Sequence, residues 1–574
     1  MKTPAIVASP LHQARSRSVI STSLIVIVAS VYMLFFSAQS YALSWTINRS
    51  LQAQEIYSDN IALRPSGSEK GAFVESITPG VSITGQSAIS NMNLNYQMQN
   101  IYNAGGNNGL SIYNQLSSSS RNTFIPNTLF LNSTSSISQQ NINNNQIGAS
   151  NINGSSNSTN VYMFGLSPNW TPHFSNYANG SFLVNANTMA TSANANSQTN
   201  STLAPISNTF NLAETMSLSS GTYFQRVNWG LSFNNTESYV ANGQNVSYQN
   251  SSARVSVPIN AYFNVFTQGG FSKNNYQSTT GSTNGGAYYT AGGQWKPNQF
   301  FNLTVGAGNN SYVTVFFSPM PRLTSTTTYT DNSVGTSFGQ TSGLTSSLGS
   351  STGSTTDTTA GTTAGTTAGT TAGIGGNGNS GKNWQTAINY QAPRSTWSLT
   401  HTNTTTTSQQ ILAQNQQVDL TNPLNVGPNQ YTLGTPILTN DVIVSTAWNL
   451  SVTFNPAGKS TFNVNAFDRD FAYQSGNGNN QKVIGVSGSW NWPFASKTSA
   501  FLRPTWQTTS NQGAANSQYY LVSIGMNRVI TPQLNGILQF QHMNQTSDVA
   551  NINNLIPTSG YQENRATASL SMRF

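Results

Sequence analysis

Three observations predict an all-β fold, a transmembrane antiparallel β-barrel with about 20 strands and a range of roughly 16 to 24. Charged residues make up only 6% of the 574-residue chain, yet it contains 23 Tyr, 27 Phe and 10 Trp. Apolar and polar side chains alternate in segments that recur along the sequence. Because a strand directs successive side chains to opposite faces, this alternation requires an apolar medium on one side and water on the other. Aromatic girdles at the two membrane interfaces account for the aromatic content.

Residues 1–42 are predicted to be a cleaved secretory signal peptide. Lys2, Arg15 and Arg17 precede an apolar run from Leu24 to Phe36. After this run, Ser40 and Ala42 supply the two small residues that a signal peptidase recognises. The run is too short for a membrane-spanning helix, which needs about 20 residues. The mature chain, residues 43–574, is predicted to be a single barrel domain. Its basic residues are scattered, which argues against nucleic acid as a partner.

The clearest strand pattern lies between Asp441 and Asn455, where every second side chain from Val442 to Phe454 belongs to one largely apolar face. Counting strands outward from Trp45–Tyr57 places Phe574 on the periplasmic side, with an even strand number. The segment Leu129–Gln140 has the composition of a strand but breaks this parity. It is therefore predicted to be a loop hairpin or a segment inside the lumen.

Short turns alternate with long polar links, and in outer-membrane barrels the short turns face the periplasm while the long loops face outside. The short links are Val257–Asn260, Lys296–Gln299, Ala392–Ser395, Asn455–Lys459, Pro493–Lys497 and Val529–Gln533. The long links are Asn103–Asn127, Asn187–Ile206, Gln409–Asn440 and a low-complexity external loop at residues 319–383. The last contains four Thr-Thr-Ala-Gly repeats from Thr358 to Gly373. A tolerated surface insertion explains them better than an adhesive function.

The C-terminal strand separates an apolar face from a polar face. Phe574, Met572 and Leu570 share the apolar side and form a predicted assembly signal, whereas Arg565 and Arg573 lie on the polar side. A mid-membrane arginine on the lipid face would cost about 2 to 4 kcal/mol, so the lumen is the predicted location of both. Arg573 has a second interpretation, in which it extends to the periplasmic interface.

Arg503 is the third candidate for the lumen, because it shares a polar face with Thr505 and Gln507. A lumen that carries arginines among Asn, Ser, Thr and Gln favours neutral and anionic sugars over cations, since basic residues in a pore favour anions.

No catalytic residues, metal site or cofactor are predicted. His173, His401 and His542 are the histidines of the mature chain, and no nucleophile motif accompanies them. The acidic segments Asp468–Asp470 and Ser58–Asn60 lack the spacing of a calcium loop. The chain contains no Cys, which removes thiolate ligands and nucleophiles.

Several short stretches resemble one family, the outer-membrane barrels associated with the PEP-CTERM and exosortase systems of exopolysaccharide-producing Gram-negative bacteria. The stretches are Glu55–Asn60, Ile77–Val81, Thr128–Asn132, Ser138–Gln140, Gly293–Pro297 and Gly560–Arg565 with the ending up to Phe574. The resemblance implies an outer-membrane barrel with a tie to polysaccharide export, and it assigns no site residues.

The sequence therefore predicts a porin-like or partner-coupled conduit in the cell outer membrane, with exopolysaccharide as a candidate cargo. A non-conducting structural or adhesin-like barrel that works through its loops remains the alternative, and a soluble β-rich adhesin is a third. The expected partners are outer-membrane lipid, lipopolysaccharide, the barrel assembly machinery and polysaccharide. No enzymatic activity is predicted.

Overall fold

The structure is a computed structural model of the whole chain. It describes residues 44–104, 109–141, 147–148, 150–153, 158–192, 208–241, 245–275, 285–332, 381–407, 410–411, 433–437, 439, 441–456, 460–474, 480–512, 516–547 and 560–574. The predicted signal peptide and the Thr-Thr-Ala-Gly repeats lie outside these described residues. Within them, no helix is long and apolar enough to cross a membrane.

The wall of the molecule is one antiparallel sheet in which strands pair in chain order. The strands are β1 (Ser44–Ser58), β2 (Ala72–Gln86), β3 (Ser90–Asn103), β4 (Gly109–Ile125), β5 (Leu129–Asn141), β6 (Ser158–Trp170), β7 (His173–Phe174), β8 (Ala178–Ser192), β9 (Thr209–Ser220), β10 (Asn228–Val240), β11 (Val246–Pro258), β12 (Phe263–Asn274), β13 (Gly285–Asn298), β14 (Phe301–Gly308), β15 (Asn310–Met320), β16 (Leu323–Asn332), β17 (Gly381–Ala392), β18 (Ser395–Thr407), β19 (Val442–Phe454), β20 (Thr461–Tyr473), β21 (Gln481–Ala495), β22 (Thr498–Asn511), β23 (Ser517–Thr531), β24 (Leu534–Ser547) and β25 (Tyr561–Arg573). The two-residue β7 pairs only with the start of β8, so the other 24 strands form the wall.

The sheet closes on itself because β1 pairs with β25. The seam joins Ser50–Ser58 of β1 to Arg565–Arg573 of β25. Below it, the backbones of Arg49 and Phe574 exchange two hydrogen bonds of 3.2 and 2.9 Å. Closure gives every strand a partner on both sides, which is the condition for a sheet to cross lipid.

The strand number is higher than the predicted value of about 20, since 24 strands lie at the upper end of the predicted range. The prediction that Leu129–Gln140 stays out of the wall was wrong. This segment is β5, which pairs with β4 on one side and β6 on the other. The neighbouring β4 lies inside the link Asn103–Asn127. Because the prediction left both β4 and β5 out of the wall, adding the two strands keeps the strand number even.

The low-complexity loop also begins later in the chain than predicted. The predicted interruption began at Pro319, but β15 continues to Met320 and β16 occupies Leu323–Asn332. The ten residues of β16 are mostly threonine, serine and asparagine, so hydropathy does not mark them as a strand. Their pairing with β15 and β17 is what defines them. The six predicted short links all join successive strands of the wall.

The two faces of the wall differ as the alternation predicts. On β23, the outward Ile524 is 54% exposed, whereas the inward Tyr519 is fully buried. Aromatic side chains mark the outer face near the periplasmic ends, among them Trp170, Phe263, Trp295, Trp397, Phe454 and Trp492, and near the opposite ends, among them Tyr57, Phe73, Tyr102, Phe210 and Tyr239. The outer face is therefore suited to lipid, and the inner face lines a lumen.

The position of Phe574 provides a first test. Its side chain is 57% exposed on the outer face of the closing seam, so it is accessible to an assembly factor. We expect Phe574→Ala to lower the amount of folded protein in the outer membrane severalfold, while Phe574→Tyr keeps near-normal levels. The measurement is the immunoblot intensity of the heat-modifiable, folded band in membrane fractions. Equal levels in the Ala variant would contradict a role in assembly.

Candidate functional site: the barrel lumen

The candidate site is the inner face of the barrel, and the structure places all three arginines proposed from the sequence on it. Arg565 and Arg573 lie on the same side of β25 as the buried Ser569. Arg503 lies on the same side of β22 as the buried Gln507. The three differ in their surroundings, because Arg565 is buried while Arg573 is exposed at the periplasmic end.

The carboxylates of the membrane strands lie almost entirely on the outer face, whereas the inner face carries an excess of arginines. Register and alternation place six arginines on the inner face: Arg121, Arg254, Arg469, Arg503, Arg565 and Arg573. The strand carboxylates on the outer face are Glu55, Glu75, Glu214, Glu237, Asp331, Asp468 and Asp470. Within the described strands, Glu563 is the only carboxylate on the inner face. The lumen wall is therefore electropositive.

Three of these arginines form a lower tier near the periplasm. Arg121, Arg254 and Arg503 lie within five residues of the periplasmic ends of β4, β11 and β22. Each guanidinium lies over a phenylalanine ring, at 4.8 Å for Phe130, 3.9 Å for Phe266 and 4.7 Å for Phe501.

These contacts orient the lower-tier guanidinium groups without neutralising them, because an aromatic ring attracts a cation and carries no net charge. Within the described part of the chain, none of the three is in a salt bridge. Their positions on β4, β11 and β22 distribute them around the circumference. Of these three arginines only Arg503 was predicted from the sequence to face the lumen, although Arg121 and Arg254 also occupy the polar phase of their strands.

Two further arginines hold chain segments inside the outer half of the lumen. Inner loop A consists of residues 147–148 and 150–153 from the link between β5 and β6. The backbone N–H of Ile147 donates to Gln545 Oε1 at 3.0 Å, and that of Gly148 donates to the Tyr561 hydroxyl at 2.9 Å. Ile147 and Ile152 pack into two apolar clusters on the inner wall. The link therefore turns into the barrel.

A buried ion pair anchors inner loop A. Arg565 Nη2 donates to both carboxylate oxygens of Glu563 at 2.9 Å and to Asn153 Oδ1 at 3.1 Å. The Arg565 and Glu563 side chains are 6% and 0% exposed. Ser58 Oγ also donates to Glu563 at 2.6 Å. Burial of two charges is costly unless hydrogen bonds satisfy them, and here β1, β25 and inner loop A supply those bonds.

Inner loop B consists of residues 433–437 and 439, from the link between β18 and β19, and it meets another part of the wall. Arg469 Nη1 donates to the carbonyl of Gly434 at 2.9 Å, and Arg469 Nη2 donates to Asn449 Oδ1 at 2.9 Å. The N–H of Gly434 donates to Gln507 Oε1 at 2.9 Å. The Tyr473 hydroxyl donates to the carbonyl of Ile437 at 3.1 Å. Arg469 was missed because sequence reasoning weighed its two acidic neighbours as cation ligands.

Gly434 is the residue that makes this docking possible. Its φ of +72° belongs to the left-handed region, and a Cβ there would lie 2.9 Å from the Phe467 ring. We expect Gly434→Ala to destabilise the docked loop by about 1 to 3 kcal/mol, since a left-handed alanine is strained. Hydrogen exchange of residues 433–437 should become roughly tenfold faster or more. Gly293→Ala, where a Cβ has room, is the control, and equal exchange would contradict the docking.

The acidic residues that were considered as cation ligands form other polar contacts. Asp468 and Asp470 lie on the outer face, where Lys482 Nζ is 3.2 and 3.8 Å from their carboxylates. Within the described residues, no group of three or more His, Cys, Asp or Glu side chains can hold a metal ion.

Two of the three histidines of the mature chain, His401 and His542, lie on the outer face of the wall. His401 is on the outer face between Trp384 and Trp448, whose ring centroids are 4.6 and 4.4 Å from its own. His173 belongs to the two-residue β7, which follows β6 and pairs with the start of β8.

His542 belongs to a hydrogen-bonded row at the outer end of the seam. Asn564 Nδ2 donates to Asp59 Oδ2 at 2.7 Å, so Asn564 Oδ1 accepts from His542 Nδ1, also at 2.7 Å. This leaves His542 Nε2 to accept from the Tyr520 hydroxyl, 3.4 Å away. The row connects β23, β24 and β25 to the end of β1. These polar residues therefore help to close the barrel.

The closed 24-strand wall, apolar outside and polar inside, defines a transmembrane β-barrel of the outer-membrane type. No protein-family profile matches the sequence, and no curated protein sequence matches it. Solved structures with a similar fold include the siderophore receptor PirA from Pseudomonas aeruginosa, with 7% identity, a TM-score of 0.38 and coverage of 92% of this chain and 80% of that chain.

Two other solved structures are similar in the same way. The FrpB iron transporter from Neisseria meningitidis shows 9% identity, a TM-score of 0.39 and coverage of 92% of this chain and 82% of that chain. The outer membrane protein opdK from Pseudomonas aeruginosa shows 7% identity, a TM-score of 0.25 and coverage of 92% and 99%. At these values of identity and TM-score, the similarity gives no information about function.

Proposed function

We propose that this chain is a conduit in the cell outer membrane with a preference for anionic solutes. The observation that carries the proposal is the excess of positive charge on the lumen wall, with six arginines and one carboxylate on the inner face of the described strands. A basic pore lining raises the local concentration of anions and lowers that of cations. The exposed, aromatic-rich outer face supports residence in lipid, with lipopolysaccharide and the barrel assembly machinery as partners.

The lower tier is the proposed selectivity element. Arg121, Arg254 and Arg503 are held by ring contacts rather than by carboxylates, so their charge remains available to a passing anion. Around them the inner face carries amide and hydroxyl side chains, which form hydrogen bonds with sugars. An anionic saccharide matches both features. The resemblance to barrels of the PEP-CTERM and exosortase systems supports exopolysaccharide as the cargo.

The two inner loops are the proposed restriction of the passage. They occupy the outer half of the lumen and are bonded to separate parts of the wall, one through Arg565 and the other through Arg469. Displacement of either loop would widen the passage. A partner that binds the external ends of these links is one way to produce that displacement, which is the partner-coupled form of the conduit.

A non-conducting barrel that acts through its external loops is the second candidate. The observation that favours it is the burial of inner-face side chains beside inner loop A, where Glu563, Tyr519 and Met543 are all fully buried. A barrel filled in this way can serve as a rigid support for surface loops.

Planar-bilayer recording of mature protein, residues 43–574, separates the two candidates. Folding is first verified by the different gel mobility of boiled and unboiled samples. A conduit should give reproducible single-channel steps and a reversal potential that indicates anion preference in a salt gradient. Correctly folded protein that gives no steps would contradict the conduit and support the structural barrel.

A further inference from the structure

An apolar groove crosses the outer face of the barrel at the closing seam. It encloses about 560 Å³ and extends over β23, β24, β25, β1 and β2. Its side walls are large apolar residues and its floor is made by small ones. The floor residues are Ala53, Gly536 and Ala568, and the walls include Ile77, Leu538 and Leu570.

The groove results from the register of the seam. Leu570 of β25 lies directly between Gly536 of β24 and Ala53 of β1, while Ala568 lies beside Leu538. Small residues therefore alternate with large ones across four strands. At Gly536 the floor has no side chain of its own and is flanked by Ile530 and Leu570, whose side chains would lie 3.2 and 3.5 Å from an added Cβ.

Charges of opposite sign occupy the two ends of the groove. Arg528 lies opposite Gly536 and only three residues from the periplasmic end of β23. Glu55 and Glu75 face each other across β1 and β2, and Glu55 is three residues from the outer end of β1. The groove therefore extends from a basic periplasmic rim to an acidic outer rim.

We propose that this groove is a binding site for one glycerophospholipid of the periplasmic leaflet, with its phosphate on Arg528 and one acyl chain along the floor. The groove opens on the face that contacts lipid, so its occupant is a hydrocarbon chain rather than water. A phosphate forms charge-assisted hydrogen bonds with a guanidinium.

The carboxylates at the other end determine the direction of binding. Glu55 and Glu75 repel an anionic headgroup, so binding of a lipid with its phosphate at this end of the groove is disfavoured. This inference does not depend on conduction, because no lumen residue takes part in it.

The bound lipid lies over the seam that closes the barrel, which is shorter than the neighbouring pairing. β1 and β25 pair over nine residues, whereas β1 and β2 pair over 15. An acyl chain packed over Ala53 and Ala568 covers both strands of this seam. The lipid therefore stabilises closure, and its removal should lower the thermal unfolding midpoint.

Native mass spectrometry tests the site directly. Full-length mature protein is delipidated in detergent, supplied with palmitoyl-oleoyl phosphatidylglycerol, and examined for a one-lipid complex. We expect Gly536→Leu, Ala568→Leu and Arg528→Gln each to reduce the retained lipid about fivefold or more. A fivefold reduction corresponds to a loss of roughly 1 kcal/mol in the free energy of lipid binding. Arg528→Lys should retain lipid because it preserves the charge.

Gly293→Leu is the matched control, since this glycine lies on the lipid-facing side of β13 with room for a Cβ. Only variants that show the folded, heat-modifiable band are compared, and two separate floor positions ensure that one misfolded variant does not end the test. The proposal is overturned if the floor variants retain as much lipid as the wild type, if Gly293→Leu loses lipid equally, or if the complex observed is a protein dimer.

Discussion

Replacement of Arg565 by leucine is expected to lower the free energy of unfolding by about 3 to 5 kcal/mol, because it leaves a buried carboxylate without a counter-ion. Glu563 would keep the Ser58 hydroxyl but lose three contacts of 2.9 to 3.1 Å from the guanidinium. Asn153 would lose its bond from the guanidinium at the same time but keep the bond that its Nδ2 donates to the Ile61 carbonyl. The measurement is the urea midpoint of protein folded in lipid vesicles, followed by tryptophan fluorescence.

Two control variants separate the ion pair from a general effect of removing charge. Arg573→Leu removes the same side chain from the same face of β25, at an exposed position, and should shift the midpoint little. Arg565→Met combined with Glu563→Met removes both buried charges and should recover most of the loss, as apolar replacements of buried ion pairs do. If Arg565→Leu and Arg573→Leu have equal midpoints, the buried pair does not stabilise the barrel.

Replacement of Arg121, Arg254 and Arg503 together by glutamine is expected to abolish most of the anion preference of the channel. Each guanidinium attracts an anion at 4 Å in water with about 1 kcal/mol, which is roughly a fivefold increase in local concentration. The reversal potential in a salt gradient should therefore move toward zero, while the channel still conducts. The difference should shrink at about 1 M salt, where screening extends over about 3 Å.

A variant with an equal change in charge on the other face is the control for the lower tier. Lys273, Lys382 and Lys482 lie on the outer face, so their joint replacement by glutamine alters the net charge equally but leaves the lumen unchanged. We expect its reversal potential to match the wild type. Equal shifts in both triple variants would mean that selectivity reflects total charge and not the lumen wall.

Sequence alone predicted the barrel class because alternation is a local property. Two faces of opposite polarity are visible in any window of ten residues, and the exposed Leu570 and buried Ser569 follow directly from it. The same period indicates the inward phase of Arg503, Arg565 and Arg573. It does not report whether an inward side chain is exposed, like Arg573, or buried in an ion pair, like Arg565.

The tertiary structure decided what depends on partners distant in the chain. β16 is too polar to be recognised by hydropathy, whereas β5 has the composition of a strand and was left out of the wall by the parity count; only pairing with their neighbours makes both part of the wall. Arg565 and Asn153 are 412 positions apart, so no local pattern relates them. The groove at the seam requires the first and last strands side by side. Alternation is determined within a strand, whereas strand number, inward loops and grooves are determined by how the sheet closes.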